Sequence, residues 1–318
     1  MIMIYTVLFL WLLTALIIIK ETKMVRMVLW LVLSSLIGAL AFFMLGSPDV
    51  AMAEAVISSY TTVFFIVCFE KYYGLRRMSE LLKSEQSEEE STRFRNHIFP
   101  IIFTLALLVL FIYFIPDNYF NTYLRDQYLR RFHIDVGGQN AVTAIYLAYR
   151  VYDTLFEALM LVIAVVAVIH LSQYDDTQII DGKRSGTEKS GMALLLIRVA
   201  APITILFGIY LIVNGFITAG GGFQGGLAVA AFFICRYLIY DIYDMPIKKI
   251  NNLEKIVFSS LTLLAALVIF QEMLIMVPYN FRPAIQISYL VLMNGLLGIK
   301  VACGFLILFY RYIAIERN

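Results

Sequence analysis

AVTAIYLAYRVYDTLFEALMLVIAVVAVI, residues 141–169, is apolar along most of its length but carries Arg150, Asp153 and Glu157. An α-helix needs about 20 consecutive apolar residues to cross the hydrocarbon core of a bilayer. This run exceeds that, and its three ionisable groups fall at i, i+3 and i+7, on one helical face. Comparable blocks recur at roughly 2–19, 27–46, 49–70, 98–115, 191–217, 222–240, 255–277 and 285–312. With 61% hydrophobic residues, 15% charged residues and a mean hydropathy of +0.82, the chain has no soluble-domain composition. It reads as an all-α polytopic membrane protein of about nine transmembrane helices. The first block starts at Met1 without a basic n-region or a small-residue cleavage pattern, and is read as a retained helix.

The net charge of +2 hides an asymmetric distribution. With the N-terminus outside, seventeen Lys and Arg residues fall in inner loops against four (Arg125, Arg130, Arg131 and Arg282) in outer ones. That predicts an N-out, C-in arrangement. Two charged stretches, 70–95 and 172–191, divide the spans into blocks of three, two and four: 1–97, 98–190 and 191–318. The loop 116–140 interleaves Tyr, Phe and Arg and is expected to lie on the outer surface or dock on a neighbour. Cys68, Cys235 and Cys303 lie on different helices, as do His97, His133 and His170 on different segments, without metal-site spacing. No catalytic, redox or metal site and no resident cofactor is expected in this chain.

Several polar groups sit where a membrane span disfavours them. Ser47, Pro48 and Asp49 open the third span as a helix start, so Asp49 reads first as a capping and dipole group and second as an ion carrier. Glu54 lies further in, and Ser58 and Thr61 continue its face; the stripe reads as wet or proton-conducting, or as a carboxylate reaching interfacial water. Arg150 and Asp153 can pair within a turn, which leaves Glu157 without a cation on its own helix. Their alternatives are proton exchange and a static salt bridge. Arg198 lies four residues before the helix-interior Pro202. Lys300 stands among Gly295, Gly298, Ala302 and Gly304, which allow close helix approach, so it faces protein or water, with Glu54 or Glu157 as candidate partners. AGGGFQGG (219–226) places Gly220, Gly221, Gly222, Gly225 and Gly226 at an expected helix break.

Three stretches carry a family resemblance. SPDVAMAE (47–54) and GGQNAVTAIYLAYRVYDTLFE (137–157) resemble successive parts of the carboxyl-terminal region of the large subunit of Mrp-type multisubunit cation/proton antiporters. AGGGFQGG is similar to the glycine signature of the family's second, small subunit. Membrane-bound hydrogenases carry the same three modules on separate chains. The resemblance implies a subunit of a complex-I-related assembly in a prokaryotic plasma membrane. Na⁺ and H⁺ would be its transported ions, and its partners the other subunits, including a large antiporter-like one, with no nucleic acid. It implies an ion path through Glu54, Asp153 and Glu157, with Arg150 as partner. Where the family has His-x-x-Pro before the glycines this chain has Phe216 and Ala219, a departure that bears on any proton relay there. The long antiporter body is absent from this sequence, so an adaptor that joins that body to the rest of a complex is the competing role.

Overall fold

A computed structural model describes residues 2–21, 23–84, 105, 106, 109, 123–171, 191–240, 246–275 and 283–314. The expected span 98–115 therefore lies almost wholly outside the described residues. Within them the elements are helices: α1 (Ile2–Lys20), α2 (Met24–Met44), α3 (Pro48–Ser84), α4 (Tyr123–Asp135), α5 (Ala141–Ala144), a π-helical turn (Ile145–Tyr149), α6 (Val151–Leu171), α7 (Gly191–Asn214), α8 (Gly222–Tyr240), α9 (Ile247–Ile275) and α10 (Pro283–Ala314). Seven are long and apolar enough to cross a membrane, and the apolar part of α8, Gly222–Cys235, is shorter. The protein is a polytopic all-α membrane protein.

One helix organises the bundle. In α10, 67% of the membrane-length window Gln286–Tyr312 is buried, against 11–28% for the other six spans. It packs against α3, α6, α7, α8 and α9, while α1, α2 and α3 form a sequential row that reaches the rest through α3. In lipid there is little hydrophobic drive between helices, so close packing and internal hydrogen bonds must hold them. The sequence supplies the packing as glycine. A Cβ on Gly226 would lie 2.3 Å from the Gly298 carbonyl oxygen, and one on Gly222 would lie 2.5 Å from that of Asn294. The α8 and α10 backbones are therefore in direct contact.

The glycine block is narrower as a break than its composition suggests. Gly222, Gly225 and Gly226 lie inside α8; the interruption runs from the end of α7 at Asn214 to Gly221. Within it Gly220 takes φ +139°, a conformation that L side chains rarely adopt. The three helical glycines serve close approach to α7 and α10, which offsets their poor helix propensity. Three helices also outrun their apolar blocks: α3 continues to Ser84, α9 begins at Ile247 and α10 spans 32 residues. Part of the loop 116–140 is itself a helix, α4.

The π-helical turn was not foreseen. It interrupts the run 141–169 just before Arg150, whose N–H reaches the Ile145 carbonyl at 2.7 Å. The wider turn frees carbonyls that side chains then satisfy. Tyr289 of α10 donates its hydroxyl to the Leu147 carbonyl at 2.8 Å, and the Thr154 hydroxyl donates to that of Tyr146. Such turns concentrate at functional sites in helices.

Candidate functional site

Asn140 and the glycine loop meet at one end of the bundle. Asn140 caps α5, its Oδ1 accepting from the N–H groups of Val142 (2.9 Å) and Thr143 (3.4 Å). Its Nδ2 donates to Asp49 Oδ1 (3.0 Å) and to the carbonyls of Gly215 (3.2 Å) and Thr218 (3.0 Å). The Gly220 N–H also donates to Asp49 Oδ1, at 3.1 Å. Asp49 is thus buried at the start of α3, where it ties two other segments rather than only the helix it opens. One step further in, Asn294 of α10 accepts from the Tyr146 hydroxyl (2.8 Å) and from the first N–H of α8, Gly222 (3.0 Å). This end of the molecule is a hydrogen-bonded knot of all three expected blocks.

Deeper in the bundle lies an ion pair. Lys300 and Glu254 are 0% and 2% exposed, with Nζ 3.3 Å from Oε1. The expected partners of Lys300 were Glu54 and Glu157; the observed one is Glu254 on α9. Sequence reading passed over Glu254 because its neighbours, Lys248, Lys249, Asn251, Asn252 and Lys255, look like a solvated helix start. A signal was present nonetheless. Ile247, Glu254, Val257, Leu261, Ala265 and Val268 form the buried stripe of α9 at helical spacing, and Glu254 stands on it. Neither Glu254 Oε1 nor Lys300 Nζ has a hydrogen-bond partner, so the contact is ionic and poorly aligned. The Phe258 ring centroid lies 6.0 Å from Nζ.

The opening charges lie on the outside of this chain. Arg150 and Asp153 pair with each other and keep side chains 62% and 55% exposed; Glu157 is exposed on the same helix. Glu157 and Lys300 still feel each other's charge. The register explains this, since Leu161, one turn after Glu157, packs where a Cβ on Gly304, one turn after Lys300, would lie 3.0 Å away. Arg198 is exposed on α7.

Glu54 sits apart, between α2 and α3, and accepts from the Ser35 hydroxyl. Ser35, Ser58, Thr61 and Thr62 line a cleft of about 210 Å³ with Val28, Leu31, Val32, Ile57 and Phe65. That is room for several waters at about 30 Å³ each. The three α3 hydroxyls donate back to carbonyls of their own helix, which leaves oxygen lone pairs available to the cleft. Glu54 does not reach the Lys300 pair through any hydrogen bond between described residues.

This arrangement defines a class, a multi-pass helical membrane protein with ionisable side chains held between and along its spans. Two family models then resolve the modules. Residues 192–310 match a domain related to the MnhB subunit of Na⁺/H⁺ antiporters, and residues 4–73 match the MbhD domain of the MBH family. The chain carries both domains. It is 28% identical over 148 residues to the putative antiporter subunit mnhA2 of Staphylococcus haemolyticus and 31% identical over 150 residues to that of Staphylococcus epidermidis. Each alignment takes in 46% of this chain but only 17% of the relative. In fold, the chain resembles the Mrp complex of Dietzia sp. DQ12-45-1b over 99% of its length and 35% of that chain (TM-score 0.75, 16% identity). It also resembles an archaeal membrane-bound sulfane sulfur reductase, over 71% of this chain and 100% of the other (TM-score 0.55, 23% identity). The chain is a membrane subunit of the cation/proton antiporter type.

Proposed function

We propose that this chain is an ion-translocating subunit of an Mrp-type module that exchanges Na⁺ for H⁺ across a prokaryotic plasma membrane. It would work alongside a large antiporter-like subunit, either in a standalone antiporter or within a respiratory complex. The observation that carries the reading is the level arrangement of Glu157, Lys300 and Glu254 across α6, α10 and α9. A charge at mid-bilayer costs about 3 kcal/mol or more, so three at one depth call for a use. Glu54 and its hydroxyl-lined cleft form a second candidate stretch of the path, with the carboxylate and hydroxyl oxygens that hard cations prefer.

The competing adaptor role draws on the Arg150–Asp153 pair, which is already closed on itself. Exchange by vesicles containing the whole complex separates the two readings. With assembly followed on native gels, Glu157→Gln is expected to abolish most Na⁺/H⁺ exchange in fully assembled complex. Assembled complex that exchanges normally with Glu157→Gln and with Asp153→Asn would make the chain an adaptor.

A further inference from the structure

Among the described residues Glu157 has no hydrogen bond or ion pair, because the nearest cation on its helix, Arg150, is taken by Asp153. Lys300 stands on the opposite side, buried and with three donor hydrogens, yet its Nζ makes no hydrogen bond even to Glu254. A buried pair kept for stability alone needs well-aligned bonds to offset desolvation. This pair lacks them. The Leu161–Gly304 contact sets Glu157 level with Lys300, and a lysine head on a flexible stem can reposition without backbone movement.

We propose that Lys300 is a two-position cation shared between Glu254 on α9 and Glu157 on α6, and that Glu254 is the positioning residue that parks it away from Glu157. The proposal rests on the reading of Glu157 as an ion-path group and adds how that group is switched. When Glu157 is neutralised, by a proton or by a bound cation, Lys300 rests on Glu254. When Glu157 is left bare and anionic, Lys300 moves toward it. The ammonium thereby neutralises whichever carboxylate is uncompensated. Glu254 itself need never meet the transported ion.

Zero-length crosslinking in the intact complex reads both positions directly. A membrane-permeant carbodiimide activates a carboxyl group as an O-acylisourea. An adjacent lysine amine then displaces the urea and forms an amide, which peptide mass spectrometry locates. Wild type is expected to give Lys300–Glu254 and Lys300–Glu157 products together. Glu254→Gln should raise the Lys300–Glu157 product several-fold, and the milder Glu254→Asp, which withdraws the carboxyl, should raise its share if the first variant does not assemble. A Lys300–Glu157 product absent from wild type and variants alike, or unchanged by either substitution, overturns the proposal. Exchange that survives Glu157→Gln would instead remove the ion-path reading and leave the crosslinking result standing.

Discussion

Lys300 and Glu254 show what single residues reveal and what they conceal. That a lysine deep in an apolar helix must be sheltered follows from its position alone, but its partner lies on another helix and no spacing rule connects them. Only the periodicity of α9, read against its polar appearance, points to Glu254. Removing one member of a buried pair strands the other, at about 3–5 kcal/mol, whereas removing both is tolerated. Lys300→Met and Glu254→Gln are therefore each expected to lower the melting temperature of the purified complex sharply, and the double variant is expected to recover much of the loss. Asn140 is the other residue of this kind. Asn140→Ala deletes a cap worth about 1 kcal/mol and also strips donors from the buried Asp49, so its total cost should exceed that of a surface cap. A melting shift no larger than that of an exposed cap variant would contradict this.

At the scale of elements, the spans were legible because composition alone separates them, while their interruptions were not. The π-helical turn sits between residues that are equally apolar on either side, and nothing in their order marks it. Its support can be tested: Tyr289→Phe leaves the Leu147 carbonyl unpaired and should cost about 1–3 kcal/mol in thermal unfolding without changing the helix content by circular dichroism. The glycine block misled in the opposite direction. Propensity gives a broken chain across Gly220–Gly226, but backbone contact with α10 needs Gly222 and Gly226 as helix, and tertiary packing prevails. Gly226→Ala is thus expected to destabilise the chain by about 1–3 kcal/mol despite improving helix propensity, seen as lower yield and melting temperature. Gly46→Ala meets no neighbour, and any cost there comes from its φ of +77° alone.

For the whole molecule, the sequence conveys three blocks joined by charged stretches, and the structure shows how strongly they are bound across their seams. Asn140 and Thr143 bond to the Gly215 carbonyl, Tyr146 to Asn294, Tyr60 to the Phe305 carbonyl and Gln286 to that of Asp135. None of these pairings could be read from one stretch, since each needs the bundle to exist first. They predict that the covalent link between 172 and 190 is dispensable. Co-expressed as two chains cut there, the halves should co-purify in detergent, and recovery of the carboxyl-terminal half alone would refute it. The same bonds explain why related modules can function as one chain or several.

The central position of α10 also has a consequence in time. Every helix it packs against precedes it in the chain, so the ribosome delivers the middle of this bundle after its surroundings. Glu254 emerges before Lys300, and at roughly 5–20 residues per second the acid waits several seconds for its base. For that interval the nascent protein is an open ring with an unmatched carboxyl facing its centre. Insertion machinery must hold such an intermediate near the interface until the last strut arrives.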